Sequence, residues 1–209
     1  MKVLILGATG SIGRPLVPQA LALGHEVTVL VRDPSKLEAR RERLRIVTGD
    51  ALDPAAVDAA VRGQEAVIFS LGRSNHRAPT TMFSDATRIL IHAMETQGVR
   101  RLVCITGIGA GDSRGHGGFL YDKIIYPWLT KETYADKDRL EALIRESSLD
   151  WIIVRPASFT NGPQRGNLRA VTDLKNITIR SISRADAAAF VLEQLRSDRY
   201  LRKTPLVGY

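Results

Sequence analysis

Six short apolar runs recur along the chain, at residues 3–6, 27–31, 44–47, 66–71, 102–106 and 151–154. Each is a continuous hydrophobic stretch rather than an alternation of apolar and polar positions. That pattern predicts strands covered on both faces, as in a parallel sheet held between helical layers. The intervening segments carry helical signals. Asp33-Pro34 and Asp53-Pro54 each set a capping aspartate before a proline suited to the first helical position. Residues 82–97 repeat apolar side chains at Met82, Ala86, Leu90, Ala93 and Met94 and stop at Gly98. Residues 131–147 carry a stripe through Leu140, Leu143 and Ile144, and Ser183-Arg184-Ala185-Asp186 reads as a capping box before another helix. The alternation predicts an α/β fold, a doubly wound parallel sheet, in a single domain over residues 1–209. Its core is expected over 1–155, with a small C-terminal substrate-side region at 156–209. Pro18 falls inside the first helical pattern and predicts a kink or a late start.

The first strand runs straight into Gly7, Gly10 and Gly13, spaced three apart. A pyrophosphate is held by main-chain N–H groups at a helix N-terminus, and side chains obstruct that approach. Glycine serves at the turn, at the closest approach and where helix meets strand. A glycine triplet also fits an ordinary tight turn, but its place between a first strand and a helix points to a dinucleotide. Arg32 ends the second strand nineteen residues beyond Gly13. An acid there would accept from a ribose 2′-hydroxyl, whereas arginine suits a 2′-phosphate, so NADP(H) is the expected cofactor. A solvated arginine at a strand end is the plainer alternative. Asp33 is better used as a cap, and Lys36 adds positive charge. Asp50, after the third strand, is expected at the adenine or as the cap of the next turn. Gly72, after the fourth, leaves room for a pyrophosphate or ribose.

Composition narrows the partners. The chain is 44% hydrophobic and 25% charged, which suits one packed domain. Its net charge of +8 attracts polyanions. The basic residues are mixed with acids, as in Arg40-Arg41-Glu42-Arg43, and no nucleic-acid recognition motif accompanies them, so nucleic acid is not the expected partner. The single cysteine, Cys104, favours a reducing, cytoplasmic setting. The apolar run after Lys2 is too short for a signal peptide, and no stretch reaches membrane-spanning length. His25, His76, His92 and His116 show no metal-ligand spacing, so no metal is expected. Neither a nucleophile elbow nor a Walker lysine is present. Residues 107–118 carry six glycines and read as the longest linker-like stretch.

Together the segments GATGSIG, VLVRD, VTGDALD, LGRSN with PTTMFSDATRIL, and LDWIIVRPASFTNGP resemble the atypical short-chain dehydrogenase/reductases, which have an NAD(P)-binding Rossmann domain. Within that group the chain is similar to the NADPH-dependent biliverdin IXβ reductase/flavin reductase proteins. The resemblance implies Thr9, Gly10, Ser11 and Ile12 around the phosphates and Arg32 on the 2′-phosphate. It implies Asp50 and Ala51 near adenine, and Leu71, Gly72 and Arg73 along the ribose and pyrophosphate. The chain also departs from that group. Thr106-Gly107 replaces the serine expected after the fifth strand, and Ser158, after Pro156-Ala157, stands where a histidine is expected, so biliverdin reduction itself is not implied. The Tyr-x-x-x-Lys pair of the wider superfamily is absent; Tyr121-Asp-Lys123 and Tyr134-Ala-Asp-Lys137 have other spacings.

Lys137 extends the Leu140–Ile144 stripe backwards, so it is expected to point at the sheet, towards a cofactor ribose or snorkelling from the stripe's edge. Lys137, Thr106 and Ser158 are the residues expected at the reacting end, with Thr106, Gly107, Lys137 and Pro156 also against the cofactor. Phe119, Tyr121, Tyr126 and Trp128, with Lys123 and Lys131, would make a lid of flat faces and cations over a planar small-molecule substrate; a core or dimer contact is the alternative. The sequence therefore reads as a monomeric or homodimeric NADPH-dependent oxidoreductase acting on a flavin or quinone. A non-catalytic NADP(H) sensor is the rival reading, and sugar-nucleotide isomerisation is a weaker third.

Overall fold

A computed structural model describes residues 1–37, 42–73, 78–119 and 121–209. Arg40, Arg41, Ser74, Asn75 and His76, singled out above, lie outside the described residues. The strands are β1 (Lys2–Leu6), β2 (Glu26–Val31), β3 (Leu44–Thr48), β4 (Ala66–Phe69), β5 (Arg101–Ile105), β6 (Asp150–Pro156), β7 (Ser158–Thr160), β8 (Arg169–Val171), β9 (Ser181–Ser183) and β10 (Leu206–Gly208). The helices are α1 (Gly13–Ala22), α2 (Pro54–Val61), α3 (Met82–Thr96), α4 (Lys131–Glu146) and α5 (Arg184–Glu193), with a π-helical segment, Tyr121–Thr130, leading into α4.

The main sheet runs β3-β2-β1-β4-β5-β6-β10-β8, with every pairing parallel except β10 to β8. This is the Rossmann order with two further strands at one edge. The continuous apolar runs have the expected cause. Val3 and Ile5 of β1 face α1 and α5, while Leu4 and Leu6 face α2, α3 and α4. Both sides of the central strands β1, β4 and β5 are therefore dry and apolar, whereas the edge strand β3 is partly exposed and carries Arg45. The sheet is not wholly parallel, because β8 closes its edge in the opposite sense. The stretch after residue 156 adds β10 and β8 to this sheet and a separate parallel pair, β7 with β9.

Local signals act much as their chemistry dictates. Asp53 accepts from the Ala55 amide at 3.0 Å and caps α2, and Ser183 accepts from Asp186 and caps α5. Asp33 caps only a 3-10 turn, Pro34–Lys36. Helix α1 is continuous through Pro18, so the proline neither ends nor delays it. The Thr80 hydroxyl accepts from the Met82 amide at 3.1 Å, but Thr81, the N-cap residue of α3, contributes no side-chain cap. Buried Asp136 of α4 supplies one instead, accepting from the Phe83 amide at 2.7 Å and from the Ser84 hydroxyl at 2.6 Å. Among the described residues no helix is long and apolar enough to cross a membrane.

The glycine-rich stretch 107–118 is not a linker. Gly107, Ile108, Gly109, Ala110 and Ser113 are buried. Asp138 of α4 accepts from the Gly111 amide at 2.7 Å and from Arg114 at 2.6 Å. Beneath it lies the fully buried pair Arg155–Glu141, joined by Nε to Oε1 at 3.0 Å and Nη2 to Oε2 at 2.7 Å. Arg155 also bonds Asp112 of the loop, and Glu141 accepts from Thr106 at 2.8 Å and Arg145 at 2.6 Å. Burial pushes the Glu141 carboxyl up, but Arg155, Thr106 and Arg145 together hold it below the ordinary carboxylate range. Removing one partner of such a pair strands a buried charge. Glu141→Ala is expected to destabilise the fold by about 3–5 kcal/mol in urea unfolding, and Glu141→Ala with Arg155→Met to recover a large part of that loss.

Candidate active site

The order of strands reverses between β1 and β4, so the crevice between their carboxyl ends is open to a ligand. Gly7 has φ +86°, and a Cβ there would lie 2.4 Å from the Ser70 carbonyl oxygen. A Cβ at Gly13 would lie 2.1 Å from the Gly7 carbonyl oxygen. Both glycines are therefore required for the β1 turn to sit against β4 and α1. Helix α1 has no side-chain cap and no acidic residue in its first turn. The Gly10 amide is bonded to the Gly7 carbonyl at 2.9 Å and the Arg14 amide to the Gly10 carbonyl at 3.0 Å, which leaves Ser11 and Ile12 and the positive end of the dipole at the crevice.

Two adjoining cavities, of about 150 Å³ and about 410 Å³, occupy this edge and share Gly10, Leu71 and Gly72. The smaller is lined also by Gly7, Thr9, Arg32, Asp50 and Ala51. The larger takes in Ser11, Ile12 and Arg73 at one end and Thr106, Gly107, Lys137, Pro156 and Ser158 beyond them. Every residue expected at the site thus lines one continuous edge of the sheet. Arg32 is 82% exposed and only loosely paired with Asp50, at 3.9 Å. Asp50 also accepts from the Leu52 amide at 3.0 Å, so it caps its turn while it lines the cavity.

Lys137 points inward, as its place on the stripe requires. Its ammonium donates to the Thr106 carbonyl and lies 5.2 Å from the Tyr134 ring centre and 5.6 Å from that of Phe83. Burial away from water lowers its pKa to about 8, and the nearby acids, Glu141 among them, only partly offset that. The Thr106 hydroxyl is not turned to the cavity: it donates to Glu141 and ties Lys137's acceptor to the buried ion pair. Thr106 therefore positions Lys137 through its main chain. Ser158 is exposed at the cavity mouth beside Phe159.

Tyr121, expected in the lid, and Tyr134, which the sequence reading left outside the site, line the same cavity. Tyr121 donates to the Tyr134 hydroxyl at 3.1 Å, and burial raises the pKa of both. Tyr134 lies against the loop after β5, where a Cβ at Gly109 would meet its ring at 2.8 Å. The signal was present in Tyr134-Ala-Asp-Lys137: residues three apart share a helix face, even though the familiar spacing is four. The aromatic segment divides between two roles. Tyr121 and Ile125 line the cavity, whereas Phe119 and Trp128 are 79% and 76% exposed. Lys123 and Lys131 are exposed and do not line the cavity, so the expected cations of the lid lie elsewhere.

An uncapped helix end, glycines that admit no side chain and open space at Gly72 suit a dinucleotide. The comparisons agree with that chemistry. A 3-diazoavenalumate denitrifying reductase from a Streptomyces species is 34% identical over 184 residues, covering 81% of this chain. The matched stretch spans only 59% of that relative's length. An Escherichia coli O157:H7 structure described as ChuY, an anaerobillin reductase, superposes with a TM-score of 0.83 at 23% identity, covering 100% of this chain and 97% of that one. A Veillonella parvula short-chain dehydrogenase/reductase in complex with NADP gives a TM-score of 0.82 at 18% identity, covering 100% and 94%. At such identities the two structures establish the shared fold. The model of the NAD(P)H-binding family matches residues 7–198, and the chain belongs to that family.

Proposed function

We propose that this chain is an NADPH-dependent reductase that passes hydride to a planar acceptor such as a flavin or quinone. The observation that carries the reading is the larger cavity, which adjoins the glycine turn and is walled by Ile108, Ile125, Tyr121 and Phe159. Such flat apolar walls suit a ring and exclude water from it. NADPH, when bound, supplies the hydride. In this reading the amides of Ser11 and Ile12, beside Gly10, hold the pyrophosphate, and Arg32 takes the 2′-phosphate. Asp50 and Ala51 border the adenine, and Leu71, Gly72 and Arg73 follow the ribose. Lys137 holds the other ribose and sets a positive charge beside the reacting rings. Gly107 and Pro156 shape the floor, and Ser158 bonds the acceptor at the mouth. The reductase name of the Streptomyces relative supports redox chemistry over isomerisation.

A specific observation favours the second reading, a non-catalytic NADP(H) sensor. The Tyr121–Tyr134 pair is buried with both pKa values raised, so neither hydroxyl is tuned to exchange a proton near neutral pH. Purified protein given NADPH and a panel of flavins and quinones is expected to lose nicotinamide absorbance. Tight NADPH binding with no turnover across the panel selects the sensor.

Two further outcomes follow from the same geometry. Arg32→Ala is expected to weaken NADPH binding roughly tenfold and to leave NADH nearly unchanged, because one charge-assisted contact to a phosphate is lost. Equal losses for both, by calorimetry, would remove Arg32 from the 2′-phosphate. Lys137 is charged below pH about 8 and neutral above it. The kcat/KM of reduction is therefore expected to fall as pH rises through that value, and Lys137→Met to abolish that limb of the profile.

A further inference from the structure

The larger cavity is unusual in its charge. Among the described residues that line it are three cationic side chains, Arg73, Lys137 and Arg184, and no aspartate or glutamate. Arg73 lies at the glycine-turn end, and its guanidinium donates to the Ala78 carbonyl at 3.0 Å. Arg184 comes from the first position of α5 and lines the cavity together with Ser158 and Phe159 of β7. Among the described residues it forms no ion pair. The acid two positions on, Asp186, is taken up by Ser183, Tyr209 and the Arg165 and Gly166 amides.

The placement of Arg184 works against local electrostatics. A cation in the first turn of a helix faces the positive end of the dipole. Its orientation is nevertheless fixed. One terminal nitrogen donates to the Asn161 side-chain oxygen at 2.7 Å, and the guanidinium lies 5.5 Å from the Phe159 ring centre. Nε and the second terminal nitrogen have no other hydrogen bond among the described residues. That free edge is the one that pairs with both oxygens of a carboxylate.

We infer that Arg184, backed by Phe159 and Asn161, is a specificity-determining residue that receives the carboxylate of a ring-shaped substrate. The inference rests on reading the larger cavity as the acceptor site and names the class of acceptor: an aromatic or quinonoid carboxylate. The ring lies along the apolar wall of Ile108, Ile125 and Tyr121, and its carboxylate reaches the cation at the mouth. A neutral ring of the same shape leaves that cation unanswered.

Charge and shape can be separated with 2-naphthoate and 2-naphthamide, which share a ring system and differ in charge. Binding is measured by calorimetry, with and without NADP+. The native chain is expected to favour naphthoate by roughly tenfold or more. Arg184→Gln is expected to erase that preference while naphthamide binds as before, which also reports that the wall is intact. Arg184→Lys, which keeps the charge and loses the planar fork, is expected to fall between the two. No preference in the native chain, a preference that survives Arg184→Gln, or a preference in Arg184→Lys equal to the native one overturns the proposal. Because the readout is binding, failure of the reductase reading is distinguishable: a chain that discriminates through Arg184 yet oxidises no NADPH loses that reading and keeps this one.

Discussion

The buried ion pair between Arg155 of β6 and Glu141 of α4 is the constraint on which the Lys137 end of the larger cavity depends. Both residues are fully buried, so neither charge has water to fall back on. Glu141 orients the Thr106 hydroxyl, which leaves the Thr106 carbonyl to accept from Lys137. Arg155 reaches Asp112 and so fixes the loop that follows β5. One interaction thus sets the floor of the cavity, the position of its lysine and the course of its glycine-rich wall. A hydrophobic pair of similar size could fill the same volume, but it would direct none of these polar groups.

The cofactor end is governed by exclusion rather than attraction. Gly7 and Gly13 are compelled by backbone oxygens that leave no room for a Cβ. The result is a helix start that sets Ser11 and Ile12 at a crevice that the sheet topology opens. Arg32 adds a charge at the rim, where its high exposure leaves it able to meet a ligand. The two ends therefore differ in kind. One is a main-chain cradle, and the other is an assembly of side chains.

Among the described residues that line the larger cavity none is acidic, and this links the two parts. The +8 net charge of the chain is not only a surface property, since Arg73, Lys137 and Arg184 line one cavity without an acid among its described residues. A phosphorylated cofactor accounts for a share of that field. The cation at the far end, at the start of α5, lies beyond the glycine turn and gives the remaining share a direction.

The six longer strands, five of them buried and β3 at the partly exposed edge, the caps at Asp53 and Ser183 and the glycine turn could be read directly from residue order, because each depends on neighbours a few positions away. Periodicity likewise turned Lys137 inward before any contact was known. Four short strands after residue 156 escaped that reading, since three-residue strands carry too little pattern to distinguish them from loop. The same limit hid the partners of Arg155 and Glu141, fourteen residues apart in the chain, and the capping of α3 by Asp136 from another helix. It also made the stretch 107–118 look like a linker, when Gly107 and Gly109 are small to admit Tyr134 and Gly111 to admit Arg155. Local sequence determines which segments are strands, helices and tight turns, because those preferences are settled by adjacent residues. Which buried charge finds which partner, and which side chains share a cavity, is decided only when distant segments are packed together.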